Sequence, residues 1–282
     1  MVCGLSDQAL DAFLLAALRE DAPDGDRTTE ALRISGRGRG SVLAKEALVV
    51  CGLPAALRTF RLADPACATQ ALAEEGARVP EGSVVARVEG PLAALLMAER
   101  VALNLLQRIS GIATFTRACV DEVAGTPIRL LDTRKTTPGM RALEKYAVRT
   151  GGGTNHRMGL SDGILIKDNH VAAVGSIGEA VRRARANAGH LLKVEVEVTS
   201  LLQLQEAAAA GADLILLDNM SDEELAEAAR VRPPGVLLEA SGGMRPGRLR
   251  AVAETGVDFI SAGALTHSAR AVDLSLEIEP AP

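Results

Sequence analysis

The pattern of hydrophobic and polar positions divides the chain into two regions of different texture. Up to about residue 110, the periodicity predicts a helix capped by Ser6 and a long helix from Leu92 to about Ser110. Between them, strands are predicted within SVLAKEALVVCG and SVVARVEG, and a separate helix is expected over residues 114–123. After Pro127, short apolar runs alternate with amphipathic helices, which is typical of βα units. The six runs are IRLLD, GILIK, LLKVEVEV, LILLDN, VLLEAS and FISAG.

Polar residues lie at the carboxyl end of all six apolar runs. They are Asp132 to Arg134, Lys167 with Asp168, Glu197, Asp218 with Asn219, Glu239 with Ser241, and Ser261 with Gly263. Parallel strands joined by helices form a barrel or a doubly wound sheet. A doubly wound sheet uses only the strands at its switch point, whereas a barrel gathers every carboxyl end around one pocket.

We therefore predict an α/β protein with an incomplete or open (β/α) barrel of the TIM type. A seventh strand is a candidate near the glycine triplet at residues 151–153, and eight full units are not expected. The predicted boundaries are 1–110 for an N-terminal α/β domain and 111–269 for the barrel.

Composition excludes several classes of function. The chain has 282 residues, of which 48% are hydrophobic, so it can bury a large core. Only 2% are aromatic and no basic tract is present, which disfavours nucleic-acid binding. Four scattered cysteines form no CxxC pair, so we expect reduced core thiols in a cytoplasmic protein rather than zinc ligands or disulfides. No membrane span or signal peptide is predicted.

A basic cluster around the glycine triplet is the candidate site. Its members are Arg134, Lys135, His156, Arg157 and Lys167, each at the end of an apolar run or in the glycine loop. A cleft of cationic side chains focuses positive potential even in a protein whose formal net charge is −5. Arginine binds a carboxylate or phosphate through two parallel hydrogen bonds. The cluster predicts a ligand with several negative charges.

Other basic residues have a simpler interpretation. Arg141, Lys145 and Arg149 recur at i, i+4 and i+8, which predicts one solvated helix face. Arg100 belongs to a polar stripe with Asn104, and the pattern alone favours exposure to solvent over ligand binding.

The opposite side of the expected pocket is acidic. Glu197 and Asp218, on different strands, suit sugar hydroxyls or a hydrated Mg²⁺, although each could instead form a salt bridge at the end of its strand. The late motifs SGG and AGA can offer backbone N–H groups to a phosphate. Together these features indicate a phosphorylated sugar bound beside an acidic organic molecule.

At these residues the sequence resembles the quinolinate phosphoribosyltransferase family, also called nicotinate-nucleotide pyrophosphorylase. The resemblance covers nearly the whole chain, and its most specific motif is DTRKTTPGMRALEKYAVRTGGGTNHR. LIKDNH, VEVEV, LLDN, EASGG and SAGALTHS also match, and one departure is Thr150, where a cysteine is expected. The resemblance implies conversion of quinolinate and phosphoribosyl pyrophosphate to nicotinate mononucleotide, pyrophosphate and CO₂, in NAD biosynthesis.

The resemblance also implies a role for each matching position. Around the quinolinate carboxylates it places Arg100, Arg134, His156, Arg157 and Lys167. On the phosphoribosyl side it implies catalytic roles for Lys135, Glu197 and Asp218. Other implied substrate contacts are Thr133, Ser241, Gly242, Gly243, Ala262, Gly263 and Ala264. Mg²⁺ is implied as the cofactor, held mainly through substrate phosphates, with Glu197 and Asp218 as candidate protein ligands.

The assembly implied by the resemblance is a homodimer in which Arg100 is shared across the interface, and a higher oligomer of dimers stays open. A strand at DLSLEI, within about residues 270–282, is expected to rejoin the N-terminal domain.

Two alternative assignments would give the protein a different function. One is a paralogue of this family associated with molybdate-transport loci, which the complete TRKTTPG and GGGTNHR motifs disfavour. The other is a non-catalytic module that binds phosphorylated metabolites, which would explain the glycine motifs but not five cationic residues beside two carboxylates.

Overall fold

The structure of the protein, a computed structural model, describes residues 3–281. The first part of the chain forms α1 (Asp7–Asp21), α2 (Arg27–Ala31), β1 (Arg37–Ala44), β2 (Leu48–Val49), α3 (Leu53–Ala63), β3 (Ala68–Ala71), β4 (Arg78–Val79), β5 (Val84–Pro91) and α4 (Leu92–Glu122). The second part forms β6 (Arg129–Leu131), α5 (Arg141–Thr150), β7 (Ile164–Ile166), α6 (Asp168–Val174), α7 (Ile177–Asn187), β8 (Val194–Val198), α8 (Leu201–Ala209), β9 (Leu214–Asp218), α9 (Asp222–Val231), β10 (Leu237–Ser241), α10 (Leu249–Ala253), β11 (Phe259–Ser261), α11 (Ala264–His267) and β12 (Leu274–Pro280).

The first of two compact units contains residues 3–117, 137–152 and 269–281. Its main sheet has four antiparallel strands in the order β12-β1-β5-β3. Its core includes Val42, Phe60, Val88 and Leu95, which are at most 3% exposed. β12 pairs with β1 along its whole length, so the predicted return of the DLSLEI strand is confirmed.

α4 is one continuous helix of 31 residues, and the prediction of two helices there is wrong. Ser110, where the helix from Leu92 was expected to end, is buried and donates its hydroxyl hydrogen to the Cys51 carbonyl at 3.0 Å. Gly111 continues the helix because a Cβ there would lie 2.0 Å from the Arg270 carbonyl oxygen. The small and polar residues therefore allow close packing rather than a break.

α5 belongs to the first unit, although its residues lie within the range 111–269 that was predicted for the barrel domain. Glu144 is fully buried, and its carboxylate accepts hydrogen bonds from Arg108 at 2.9 Å and from the Thr137 hydroxyl at 2.8 Å. The Tyr146 hydroxyl donates to Glu75 at 2.6 Å. The prediction that this face of α5 is solvated is wrong at Lys145. Its side chain is fully buried, because this face of the helix also packs against neighbouring residues.

The second unit contains residues 118–136 and 153–268 and is built on a parallel sheet. Its six strands follow the order β6-β11-β10-β9-β8-β7, which confirms the six predicted runs and the open barrel. Thr154 adds one parallel bridge to Leu131, so the candidate seventh strand is reduced to a single pairing. The helices between the strands bury apolar residues that include Ile177, Val181, Leu204, Leu225 and Val252.

Two predictions from composition can be compared with the described residues. Cys3, Cys51, Cys67 and Cys119 are all buried and free, as expected for core thiols. Within residues 3–281, we find no helix with the length and apolar character needed to span a membrane.

Candidate active site

A cavity of about 600 Å³ opens at the carboxyl ends of the parallel strands in the second unit. This confirms that one pocket receives the polar strand ends, because every strand from β6 to β11 or the segment after it contributes. The lining residues are Thr133, Arg134, Lys135, His156, Arg157, Leu165, Lys167, Glu197, Leu216, Asp218, Asn219, Glu239, Ser241, Gly242, Gly243 and Ser261.

Arg134 and Lys135 form the part of the basic side that follows β6. The Thr133 hydroxyl oxygen accepts a hydrogen bond from the Lys135 backbone N–H at 3.0 Å, and the Thr266 hydroxyl donates to the Lys135 carbonyl at 2.8 Å. These bonds fix the backbone of the segment. Arg134 Nε is buried and has no hydrogen-bond partner among the described residues. A buried donor on a cation is costly unless an acceptor reaches it, which indicates a place for an anion.

Asp132, at the end of β6, holds the loop that carries the next two cationic positions. Its carboxylate is fully buried and accepts hydrogen bonds from the Asn155 side-chain amide and from the His156 backbone N–H at 2.8 Å. The strand therefore positions His156 and Arg157 through one acidic side chain, although the loop lies more than 20 residues further along the chain.

Arg157 lies close enough to Arg134 for their charges to interact. Burial, and next the Arg134 guanidinium, lower the pKa of Arg157 below its usual value. One hydrogen bond is present from Arg157 Nη1 to the Gly163 carbonyl at 3.0 Å. Two like charges side by side are stabilised by an anion between them, so this pair is suited to a carboxylate or phosphate.

The acidic side of the pocket contains Glu197 and Asp218, at the ends of β8 and β9. Glu197 forms an ion pair with Lys167 across neighbouring strands, so part of its charge is already matched within the protein. Asp218 accepts a hydrogen bond from the Asn219 side-chain amide at 2.8 Å. Because both carboxylates are only partly buried, they remain able to bind a ligand or a hydrated cation.

The SGG turn approaches Asn219 so closely that only glycine fits. Gly242 has a φ of +91°, and a Cβ there would lie 2.2 Å from Asn219 Oδ1. Asn219 is itself left-handed, with a φ of +56°, and its N–H donates to the Ser241 carbonyl at 3.0 Å. Glycine at this turn thus brings backbone from two strands together at the rim of the pocket.

Four predicted site residues are absent from the pocket lining. Ala262 and Ala264 flank the start of α11, and Gly263 packs against Lys135, where a Cβ would lie 2.9 Å from its Cδ. Arg100 belongs to the first unit, where its side chain is 57% exposed.

Arg100 lies beside a groove of about 390 Å³ between α1 and α4 of that unit. Phe13, Leu105, Arg108 and Met140 contribute to the same groove. The polar stripe is therefore open to solvent within the described chain, as its pattern predicted. A role for Arg100 in substrate binding requires a contact that the described residues do not supply.

His170, just after β7, caps a helix. Its Nδ1 accepts a hydrogen bond from the Lys167 backbone N–H at 2.9 Å at the start of α6. The geometry gives it a structural role at the end of β7.

Glu195 was not predicted as a site residue, and Glu239 was expected only as one of the polar strand ends, although both are buried beside His156. Burial, and next the charge of Glu195, raise the pKa of Glu239 to about 8. The sequence contained a signal for Glu195, because VEVEV places it on the same strand face as Glu197. Their meeting with His156 depends on how the barrel closes, which no local pattern specifies.

Comparisons with known proteins identify the family of the chain. Residues 26–110 match the quinolinate phosphoribosyl transferase N-terminal domain, and residues 112–277 match the C-terminal domain. The chain belongs to the quinolinate phosphoribosyltransferase family. Both matched domains together cover most of the chain, so the family assignment includes the N-terminal and the barrel regions alike.

Individual members of the family are similar over nearly their full length. The nicotinate-nucleotide pyrophosphorylase (carboxylating) of Mycobacterium leprae is 46% identical, over 97% of this chain and 100% of that protein. The Homo sapiens protein of the same name is 41% identical, over 97% of this chain and 94% of its own. The crystal structure of NadC from Streptococcus pyogenes has a TM-score of 0.92 at 43% identity and covers 99% of both chains.

Proposed function

We propose that the protein is a quinolinate phosphoribosyltransferase, which forms nicotinate mononucleotide, pyrophosphate and CO₂ for NAD biosynthesis. The observation that carries the proposal is the cationic pair in the pocket, where Arg134 Nε is buried without a partner among the described residues, beside the guanidinium of Arg157. An acidic ring compound with two carboxylates supplies the missing acceptors. The names of the relatives indicate the same reaction.

The basic side of the pocket orients quinolinate. Arg134 and Arg157 are suited to one carboxylate, and Lys167, directly after β7, is suited to the other. The ammonium group of Lys167 also forms an ion pair with Glu197, which holds it in position before quinolinate binds. Holding the ring in one orientation brings its nitrogen to the ribose carbon and lowers the entropy cost of reaction.

The phosphoribosyl group is assigned to the side formed by Lys135, Glu197 and Asp218. Lys135 is exposed at the pocket and can neutralise charge on the departing pyrophosphate, while Asp218 accepts hydrogen bonds from ribose hydroxyls. The SGG backbone at residues 241–243, which lines the pocket, is assigned to a phosphate.

Magnesium is part of the proposal, and the donor set of the pocket fits it. Mg²⁺ prefers one or two carboxylates together with phosphate oxygens, and Glu197 and Asp218 are the carboxylates that would hold it. When bound, the ion supplies positive charge at the pyrophosphate group.

Decarboxylation follows from the chemistry of the first product. After the ring nitrogen has attacked the ribose, the ring is a pyridinium and can accept the electron pair that remains at C2 when CO₂ leaves. The C2 anion then takes up a proton, which solvent can supply, to give nicotinate mononucleotide. The protein has to hold the ring, and no catalytic base is required. When that carboxylate leaves as neutral CO₂, its ionic interactions with the cationic residues are lost.

A homodimer that shares Arg100 also belongs to the proposal. The support is that Arg100 is exposed and belongs to the first unit, whereas the other implied quinolinate ligands line a pocket of the second. A cytoplasmic location is supported by four buried free thiols.

The test is an assay of product stoichiometry. With quinolinate, phosphoribosyl pyrophosphate and Mg²⁺, pyrophosphate and CO₂ are expected in equal amounts, and omission of any of the three abolishes both. Nicotinic acid, which lacks the second carboxylate, is the control and should give no pyrophosphate. Turnover with nicotinic acid but not with quinolinate would refute the proposal.

A further inference from the structure

Two buried acids face the imidazole of His156 at the base of the pocket. His156 Nε2 lies 3.1 Å from Glu195 Oε2 and 3.6 Å from Glu239 Oε2. Glu195 is 6% exposed and Glu239 is 1% exposed. Acids at the base of a pocket for a polyanion repel the ligand, so direct binding of the substrate does not explain them.

The other ring nitrogen of His156 is engaged by the backbone. Nδ1 accepts a hydrogen bond from the Arg157 N–H at 2.7 Å, and a nitrogen that accepts carries no hydrogen. The ring is therefore the tautomer with its hydrogen on Nε2, and that hydrogen points to Glu195. With these two contacts, neither ring nitrogen has a hydrogen bond left for an anionic ligand.

The imidazole thus connects the backbone of Arg157 to the acids. The backbone N–H of His156 is tied separately to Asp132 at 2.8 Å, so the residue is held at its main chain and at both ring nitrogens. An acid that fixes the tautomer and orientation of a histidine is a common support for a functional site.

We propose that Glu195 and Glu239 are positioning residues that hold His156 in the Nε2–H tautomer and, through its Nδ1, set the backbone of Arg157. The inference rests on the proposed function and deepens it, because Arg157 is assigned to a quinolinate carboxylate. His156 then acts by placing Arg157, whereas the resemblance to the family implied a direct contact with the substrate.

The carboxyl oxygens of the two acids differ in their contact with His156. Glu195 Oε1 and both carboxyl oxygens of Glu239 make no hydrogen bond of good geometry among the described residues, although Ser261 and Glu195 lie close to Glu239. Glu195 therefore accepts from His156 through one oxygen only, and Glu239 supports the ring from a longer distance. We expect Glu195 to contribute more to the position of His156 than Glu239.

The test combines an NMR readout with steady-state kinetics on two variants. Glu195→Leu keeps the approximate size and removes the acceptor, whereas Glu195→Gln keeps an acceptor for Nε2–H. The sequence has four histidines, so the ¹⁵N signals of His156 can be assigned from their loss in His156→Gln. Glu223→Leu, on the exposed surface of α9, is the matched control.

In the wild-type protein without substrates, we expect His156 to show a protonated Nε2 and an unprotonated Nδ1. Glu195→Leu should give a mixture of tautomers and raise the KM for quinolinate about tenfold, which corresponds to loss of one hydrogen bond to a charged group. The KM for phosphoribosyl pyrophosphate should stay within about twofold, because Arg157 is assigned to the other substrate. Glu195→Gln should recover the tautomer and most of the affinity.

A protonated Nδ1 in the wild-type protein would overturn the inference, as would a Glu195→Leu variant with the wild-type tautomer. Equal losses for both substrates in a folded Glu195→Gln variant would also count against it. Because the NMR readout needs no substrate, it separates failure of this inference from failure of the proposed reaction.

Discussion

Replacement of Glu239 by glutamine should change how the stability of the protein depends on pH. Burial and the nearby Glu195 raise the pKa of the Glu239 carboxyl from 4.5 to about 8. The folded protein thus binds this proton more tightly than the unfolded chain does. Its contribution to stability is fully present below about pH 4.5 and is lost as the pH rises to about 8. The amide side chain of the Glu239→Gln variant does not titrate, so this loss disappears.

The size of the effect follows from the pKa difference. Each pH unit within the window changes the free energy of unfolding by up to about 1.4 kcal/mol, so the whole window corresponds to on the order of 5 kcal/mol. For a chain of this size, about 1 kcal/mol shifts the melting temperature by about 2 °C. The melting temperature of Glu239→Gln relative to the wild type should rise by about 5 to 10 °C between pH 5 and pH 8.

The assay is thermal unfolding followed by fluorescence of an added dye at half-unit steps from pH 5 to pH 8.5. Any effect of the glutamine on packing shifts the variant equally at all pH values and leaves the slope unchanged. Glu223→Gln, at an exposed position on α9, provides the control for loss of one carboxylate. A difference between Glu239→Gln and the wild type that does not change with pH would refute the reasoning.

Two further predictions concern the roles of individual charges. By calorimetry, Glu197→Gln and Asp218→Asn should each weaken binding of phosphoribosyl pyrophosphate with Mg²⁺ by about tenfold, and Arg157→Ala should instead weaken quinolinate binding. Selective loss of quinolinate in both carboxylate variants would contradict this division of the pocket. Chains with Arg100→Ala, mixed with Lys167→Ala chains after dissociation, should regain about a quarter of wild-type activity, since half the dimers are hybrids with one intact site. No recovery, with exchange confirmed by mass spectrometry, would assign Arg100 to its own subunit's site.

The sequence was sufficient for the parts of the fold that depend on local periodicity. The apolar runs from residue 127 onward became β6 to β11, and their polar ends line one pocket because parallel strands share a direction. Arg134, Lys167 and Asp218 were expected there from that argument alone. Ser6 also caps α1 as predicted, with its side-chain oxygen accepting from the Ala9 N–H at 3.2 Å.

The features that the sequence did not predict depend on contacts between distant segments. Gly111 lies within a helix, and only the close approach of Arg270 explains it. Lys145 occupies a position typical of a solvated face and is buried by tertiary packing. Glu195 and Glu239 are separated in the sheet by β9, and they meet at His156 because the barrel curves. Hydrophobic periodicity contains no information about such meetings.

The pairing of β12 with β1 has a consequence for the order of events during synthesis. The register joins Ala44 to Leu274, so about 230 residues must be translated after β1 before its partner exists. At typical rates of elongation this takes roughly 10 to 50 s, during which one edge of β1 has no strand to pair with. The barrel strands all leave the ribosome within that interval. The unpaired edge of β1 is therefore exposed in the nascent chain during this time. Chaperone binding or association between neighbouring chains at this edge competes with completion of the first unit.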